Sequence, residues 1–161
     1  MKNFMGIDNG TSGTIGIITP EETIFIPTPS KLEQSYTKKK QNISRIQFRT
    51  LYNFLKTYTD DCHVMLGRPM VNPGRWAATV SALRALESTI IVLEILNVSY
   101  EYIDSKSWQS ELLPKGTKGS AEFKKASVDI GCRLFPQFKD FIIKHGDADG
   151  ILIAEYCKRH R

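Results

Sequence analysis

Three short apolar segments at the N-terminus most constrain the fold of this chain. They span Lys2 to Ile7, Thr14 to Thr19 and Glu22 to Pro27, and their short length and β-branched residues predict strands. The Asn9-Gly10 pair between the first two segments suits the positive φ angles of a hairpin turn. Because strands joined by such short turns pair antiparallel, the chain is expected to begin with a three-stranded meander.

Helical and strand patterns alternate after this meander. The predicted elements are, in order, a helix from Phe48 opened by a capping box of Ser44 and Gln47, a buried strand at Cys62 to Leu66, a long helix at Trp76 to Asn97, a strand at Val98 to Ile103, a helix capped by Ser120, and a last helix capped by Asp147. Two helix-to-strand crossovers add parallel strands to the meander. The predicted fold class is α/β, with a five-stranded mixed sheet flanked by helices in one domain over residues 1–161.

Two segments do not follow this simple pattern. The polar stretch from Thr28 to Asn42 carries Lys38-Lys39-Lys40 and is predicted to be a mobile loop. The helix from Trp76 to Asn97 has apolar residues around most of its circumference, so more than one of its sides must be covered. A dimer interface and a central position in the core both satisfy that requirement.

Composition narrows the functional class only partly. No run of about 18 apolar residues is present, and the early Asp8 leaves no room for a signal peptide. The three cysteines share no CxxC spacing, which favours reduced thiols in a cytoplasmic protein and argues against a zinc site. The net charge of +5 is compatible with a polyanionic partner such as nucleic acid.

Two groups of acidic residues are candidates for a metal site. Asp8 follows an apolar strand and precedes small residues, while Asp147 and Asp149 stand where the last helix begins. Mg²⁺ prefers carboxylate oxygens, and an acid at a strand end could share an ion with an acid at a helix start. The simpler interpretations are that Asp8 stabilises a tight turn and that Asp147 only caps the helix.

Basic and aromatic residues in the predicted loops and helix starts are candidates for DNA contacts, because cations neutralise phosphates and exposed rings stack on bases. They are Arg68, Arg75, Trp76, Lys106, Trp108, Lys115, Lys118, Lys124 and Lys125. The alternative is that both tryptophans belong to the core and that the lysines form a solvated surface.

Several motifs in the same order resemble the RuvC family, and most closely its compact bacteriophage members. They are Gly6-Ile7-Asp8-Asn9-Gly10, the segment from Arg68 to Pro73, Ala82 to Glu87, Ile103 to Gln109, and Ala148-Asp149 through Tyr156. The resemblance covers nearly the whole chain. It implies a ribonuclease H-like fold and a homodimer that nicks four-way (Holliday) DNA junctions with Mg²⁺ or Mn²⁺, two ions per site.

The resemblance also assigns roles to individual residues. Asp8 would be the acid of the first strand and Asp149 the main acid of the last helix, with Asp147 or His145 as the neighbouring ligand. Gly150, inside that helix, departs from the family pattern, and a helical glycine costs about 1 kcal/mol relative to alanine.

A larger departure from the family pattern occurs at Gly67, where the family places a metal-bridging glutamate just before Arg-Pro. Asp60 and Asp61 lie at the other end of the same strand, and at about 3.3 Å per residue they are too far away to replace it. Glu87 could do so only if its helix packs across the site.

The expectation is therefore an impaired endonuclease, with Gly67 either native or introduced. One alternative is a catalytically inactive protein that binds branched DNA. A more distant one is an ATP-binding fragment of the actin and sugar-kinase superfamily, whose first phosphate loop resembles the segment Asp8-Asn9-Gly10-Thr11.

Overall fold

The sheet predicted from the sequence is present in the computed structural model, which describes residues 2–161. The strands are β1 (Asn3–Ile7), β2 (Thr14–Ile18), β3 (Thr23–Pro27), β4 (Ser30–Gln34), β5 (Asn42–Ile46), β6 (Cys62–Gly67) and β7 (Tyr100–Ile103). Five of them form one sheet in the order β3-β2-β1-β6-β7, while β4 and β5 form a separate two-stranded ribbon. The first three strands pair antiparallel and β6 and β7 join in parallel, as predicted.

Helices flank this sheet on both faces. They are α1 (Phe48–Leu55), α2 (Trp76–Ile95), α3 (Ser105–Leu112), α4 (Gly119–Leu134), α5 (Lys139–His145) and α6 (Asp149–His160), with short 3-10 turns at Pro73–Arg75 and Pro136–Phe138. None of the helices within residues 2–161 is long and apolar enough to cross a membrane.

Two separate hydrophobic cores lie on the two faces of the sheet. One packs α6 together with α3, α4 and α5 around side chains such as Trp108 and Leu152. The other packs α1 and α2 against Met5 and Ile17 of the central strands. Each strand of the five-stranded sheet therefore contributes to both cores, because successive side chains of a strand point to opposite faces.

Helix α6 lies unusually close to the sheet because glycines face it. A Cβ added at Gly6 of β1 would overlap the backbone of Ala154, and one added at Gly16 of β2 would overlap the backbone of Ile151. In the opposite direction, a Cβ at Gly150 would overlap the carbonyl oxygen of Thr14. Gly150 is thus required for close packing, which corrects its interpretation as a costly departure.

The prediction of a mobile loop over the whole of Thr28 to Asn42 is wrong. Strand β4 takes up residues 30–34 and pairs in register with β5, which begins at Asn42, so only residues 35–41 form the connecting loop. Arg45 donates a hydrogen bond of 2.8 Å to Glu33 across the ribbon. The ribbon also packs on α2 through β5. Its side chains are mostly polar and exposed, so the hydrophobic alternation that marks a half-buried strand is weak here.

Helix starts were predicted less well than helix positions. Ser44 lies within β5, so it cannot form a capping box, and α1 begins after Gln47 without a side-chain cap. Ser120 lies inside α4, which begins after Lys118. The short helices α3 and α5 were not predicted, because each is only about two turns long and shows little periodicity.

Helix α2 is buried on one side and exposed on the other. Ala85, Val92 and Leu93 are buried against the sheet, while Leu83, Ile91 and Ile95 remain 42%, 45% and 65% exposed. The helix ends at Ile95, and Asn97 follows with a left-handed φ of 54°. One side is therefore core and the opposite side carries an exposed apolar stripe.

Candidate metal centre and nucleic-acid interface

The structure brings Asp8, Asp147 and Asp149 together at one end of the sheet. One carboxylate oxygen from each lies within 4.8 Å of the others. Asp8 follows β1 directly, and its backbone N–H donates to the carbonyl oxygen of Thr14 at 2.9 Å. Asp149 begins α6, whose close contact with Gly6 and Gly16 fixes its distance from the strand end.

Thr14 connects β2 to the start of α6. Its hydroxyl donates to Asp147 Oδ1 at 3.3 Å and accepts from the backbone N–H of Gly150 at 3.0 Å. The same oxygen of Asp147 accepts from the backbone N–H of Asp149 at 2.7 Å. Asp147 therefore fixes the entrance to the helix from one residue before the N-cap, which is Ala148 and not Asp147 as predicted, while its carboxylate still belongs to the acid cluster.

A hydroxyl on α4 holds the third acid. Ser127 is buried and donates a short hydrogen bond to Asp149 Oδ1. We did not identify Thr14 or Ser127 as site residues from the sequence. Thr14 stands in the small-residue segment after Asp8, which is a weak signal, whereas nothing in the sequence around Ser127 distinguishes it.

Burial, together with the crowding of like charges, raises the pKa values of two of the acids. Burial raises the pKa of Asp8 well above its usual value, and the charges of Asp147 and Asp149 raise it further. Burial and the charge of Asp147 raise the pKa of Asp149 to about 6, against the lowering effect of the Ser127 hydrogen bond and of Lys124. Three carboxylates held this close repel one another unless a proton or a cation is present.

This donor set suits a divalent cation. Carboxylate oxygens are the ligands that Mg²⁺ and Mn²⁺ prefer, and the cluster supplies only oxygen donors. A bound cation would also neutralise the repulsion that raises the pKa values of Asp8 and Asp149. The residues present therefore fit a divalent metal ion.

Gly67 stands beside the acid cluster at the end of β6. The register of the parallel pair aligns Leu66 with Ile7, so Gly67 lies next to Asp8. A Cβ added at Gly67 would lie 3.7 Å from the Cα of Asp8 and 3.2 Å from the carbonyl oxygen of Ile7. A longer acidic side chain at this position would start directly beside Asp8.

No fourth acid joins the cluster within the described part of the chain. The cluster contains only Asp8, Asp147 and Asp149 among residues 2–161. Asp61 lies at the opposite end of β6, where its carbonyl oxygen accepts from Asn3. Burial and the neighbouring Tyr102 raise the pKa of Tyr100, at the start of the edge strand β7, and the charge of Glu87 adds a smaller contribution, which places Glu87 near that strand.

Comparison with known proteins identifies similar structures but no similar sequences. No protein-family model matches the chain, and no curated protein sequence matches it. A structure of Thermus thermophilus RuvC in complex with a Holliday junction substrate superposes with a TM-score of 0.61 at 11% identity, covering 96% of this chain and 90% of that one. A second Thermus thermophilus RuvC structure gives a TM-score of 0.54 at 11% identity, covering 98% and 96%.

The chain has a RuvC-like fold. The ribonuclease H-like arrangement predicted from the sequence motifs is confirmed at the level of architecture, because the superposition extends over most of both chains. In this RuvC-like fold the acid cluster lies where β1 and β6 end side by side.

His145 lies beside this site without joining the acid cluster. Its Nε2 atom is 3.2 Å from the carbonyl oxygen of Ser12, and its ring stacks on Phe141 with the centroids 5.6 Å apart. These contacts attach the end of α5 to the turn that follows Asp8. Of the two alternatives for the neighbouring ligand, only Asp147 lies in the cluster.

The candidate DNA-binding residues have different surroundings. Lys124 lies close enough to Asp8 and Asp149 for its charge to lower both pKa values. Lys106 and Lys115 line one open cavity of about 310 Å³. Arg68 is paired with Asp104 at 2.9 Å and covers the ring of Tyr102.

The two tryptophans have opposite environments. Trp108 is 2% exposed and belongs to the core around α6, so its ring cannot stack on DNA and that prediction is wrong. The reason is that the unpredicted helix α3 turns this residue toward the sheet. Trp76 is 70% exposed at the start of α2 and remains available for a ligand.

Proposed function

We propose that this protein is a structure-specific endonuclease that cleaves four-way and other branched DNA by metal-dependent phosphodiester hydrolysis. The observation that carries this proposal is the convergence of Asp8, Asp147 and Asp149 at the strand end of a RuvC-like fold. A structural neighbour described in complex with a Holliday junction substrate supports branched DNA as the substrate class. We propose that residues 1–161 act as one nuclease domain.

Asp8 and Asp149 would hold Mg²⁺ or Mn²⁺, two ions per site, with Asp147 as the neighbouring ligand. A bound divalent ion would polarise the scissile phosphate and lower the pKa of a coordinated water. Thr14 and Ser127 orient the carboxylates through the hydrogen bonds that they donate. Lys124 places a positive charge beside the acids, where it would attract the DNA backbone.

The DNA surface would surround this cluster. We propose that Arg68, Arg75, Lys106, Lys115, Lys118 and Lys125 contact phosphates and that Trp76 contacts a base. Most such contacts position the duplex without reading its sequence. Binding is therefore expected to weaken steeply with salt, since each phosphate contact releases counterions.

The exposed stripe of α2 supports a homodimer, and two copies would supply one site for each of two symmetrical strands. Leu83, Ile91 and Ile95 form the stripe, with spacings of eight and four residues that place them on one side of the helix. The resemblance to compact phage members supports a phage-encoded protein acting in the cytoplasm of its bacterial host.

A junction-nicking assay tests the proposed function. Asp8→Asn keeps the size of the side chain but removes its charge, so we expect loss of nicking of a synthetic four-way junction in Mg²⁺ or Mn²⁺. Asp140→Asn in α5 is the matched control, since that exposed acid lies outside the cluster. Equal nicking by the parent and Asp8→Asn would contradict the assignment.

Gly67 favours a second candidate, a protein that binds branched DNA without cutting it. It offers no ligand atom beside Asp8, and no other acid joins the cluster within residues 2–161. Gel-shift binding of the junction in EDTA or Ca²⁺, combined with no nicking in Mg²⁺ or Mn²⁺, would favour this candidate over the nuclease.

A further inference from the structure

A cleft of about 270 Å³ separates the β4–β5 ribbon from the N-terminal half of α2. We call it the aromatic cleft, and its main lining residues are Tyr36, Thr37, Ile43, Trp76, Val80 and Arg84. Tyr36 is 93% exposed and Trp76 is 70% exposed. Two large rings thus stand in solvent on the walls of one cavity.

Neither ring has a stacking partner in the protein. Among residues 2–161, the ring–ring and cation–π contacts involve other aromatic side chains. A single exposed aromatic residue is common on protein surfaces, but two that face one cavity offer a stacking surface for a planar ligand.

The charge around the aromatic cleft favours an anionic ligand. Arg84 lines it, Lys38-Lys39-Lys40 follows Tyr36 at the tip of the ribbon, and Arg75 precedes Trp76. No acidic residue is among those that line the cleft. Aromatic rings beside clustered cations are the combination that single-stranded nucleic acid binds, with bases on the rings and phosphates on the cations.

Two hydrogen bonds place the aromatic cleft near the acid cluster. Asn9, next to Asp8, donates from its side-chain amide to the carbonyl oxygen of Ala82 at 3.1 Å. Trp76 precedes Ala82 by six residues on α2, which is roughly 9 Å along the helix axis. The base of the ribbon is attached at the same end, where the backbone N–H of Thr28 donates to the carbonyl oxygen of Gly13.

We propose that the aromatic cleft binds one unpaired nucleotide of the DNA substrate, with its base against the rings of Tyr36 and Trp76 and its phosphates against Arg84 and Lys38 to Lys40. This proposal rests on the proposed function, since it assumes that DNA approaches the acid cluster. It adds a preference for branched DNA with unpaired nucleotides over fully paired junctions. A nucleotide fits better than an apolar peptide because cations and no acids surround the rings.

The two tryptophans provide a direct measurement. Trp76 is exposed and Trp108 is buried, so only Trp76 can be quenched by a stacked base. In EDTA, where no cleavage occurs, oligothymidine is expected to quench the Trp76 emission of the intact protein, and Trp76→Phe is expected to abolish that quenching. Absence of quenching in the parent protein at saturating oligothymidine would overturn the proposal.

Affinity measurements on two matched junctions complete the test. Trp76→Ala and Tyr36→Ala are each expected to weaken binding of a junction with an unpaired segment about tenfold, or about 1.4 kcal/mol, and to change binding of the fully paired junction less than twofold. Phe48→Ala is the control, since Phe48 is an exposed aromatic residue of α1 outside the cleft. Tyr36→Phe should retain parent affinity, because it keeps the ring.

Two outcomes would overturn the proposal. One is an equal loss of affinity for paired and unpaired junctions. The other is a change in the sedimentation coefficient of Trp76→Ala without loss of affinity, which would assign the cleft to a contact between copies of the chain. Tyr36 lies at the ribbon tip, so its variant decides the question even if Trp76→Ala unfolds. These binding results do not depend on nicking. A failure of the proposed nuclease function can therefore be distinguished from a failure of the cleft proposal.

Discussion

The two faces of the central sheet are packed in different ways. On one face, α6 approaches β1 and β2 so closely that a methyl group at Gly6 or Gly16 would overlap helix backbone. On the other face, α1 and α2 pack through large side chains such as Leu55 and Leu93, and α2 leaves an apolar stripe in solvent. The acid cluster depends on the first kind of packing, while the apolar stripe of α2 and the aromatic cleft lie on the second face.

This difference indicates a division of roles within one fold. Backbone contact through glycines leaves little room for adjustment, so it holds Asp149 at a fixed distance from Asp8. Packing through side chains tolerates repacking, and an exposed stripe costs little in a monomer while it can bind a second copy.

The largest effect is expected from adding a methyl group to the glycine-lined face. Gly16→Ala would push against the backbone of Ile151, which cannot rotate away, so we expect a loss of about 3 kcal/mol or more of unfolding free energy. Urea denaturation measures this change. Gly74→Ala is the control, because its Cβ would meet only the Asn72 side chain at 3.3 Å. Equal stability of Gly16→Ala and Gly74→Ala would show that the packing of α6 on the sheet tolerates an added methyl group.

Burial of Asp149 and the repulsion from Asp147 predict a pH dependence of stability without metal. The pKa of Asp149 is about 6 in the folded protein, above its ordinary value of 3.8, so the folded state binds this proton more tightly. The resulting stabilisation is fully present below about 3.8 and is lost as pH rises through about 6, by up to about 3 kcal/mol.

In EDTA, the unfolding free energy should therefore be higher at pH 5 than at pH 7, relative to Asp149→Asn measured under the same conditions. Mg²⁺ at pH 7 should recover stability in the parent protein, because it neutralises the same charges. A parent protein with the same pH profile as Asp149→Asn would contradict the crowding of these acids.

The apolar stripe of α2, on the opposite face of the sheet, predicts a dimer that a polar substitution in the stripe should weaken. Ile95→Ser should weaken self-association about tenfold or more, since it removes a large apolar side chain that is 65% exposed in one copy. Sedimentation equilibrium measures the change. Ile143→Ser, at a 57% exposed position of α5, is the control. A larger effect of Ile143→Ser would show that the dimer interface involves α5 and not the stripe of α2.

Adding an acid beside Asp8 tests whether the cluster needs a fourth carboxylate. Gly67→Glu should raise Mg²⁺-dependent nicking of a junction about tenfold, or about 1.4 kcal/mol of barrier, because its side chain would begin 3.7 Å from the Cα of Asp8. Gly67→Gln is the control of similar size. Equal nicking rates for the parent and Gly67→Glu would show that the cluster works without a fourth acid.

Much of the fold could be predicted from local patterns, and some of it could not. The meander, β6, α2 and the parallel addition of β7 were predictable, because apolar periodicity and turn residues mark them directly. The β4–β5 ribbon was missed, because its stability comes from strand pairing and contact with α2. The capping roles of Ser44 and Ser120 were wrong because neighbouring elements extend over those positions.

The candidate site shows the same limit. Asp8, Asp147 and Asp149 could be selected from the sequence, since a strand end and a helix start are recognisable places for functional acids. Trp108 could not be distinguished from Trp76, because burial depends on which way α3 turns the ring. Thr14 and Ser127 hold acids that lie more than twenty residues away in the sequence, so only the fold reveals their contacts.

The five strands of the central sheet, the fold class and the chain positions of the acids could thus be derived from the sequence, because they depend on short-range periodicity and residue type. Only the tertiary structure decided how close the acids lie, which hydroxyl groups hold them and which aromatic ring is exposed. The physical reason is that these properties arise from packing between distant segments. The clearest example is Gly150, which the sequence marks as a weak point in a helix and the structure shows to be the contact that brings the helix to the sheet.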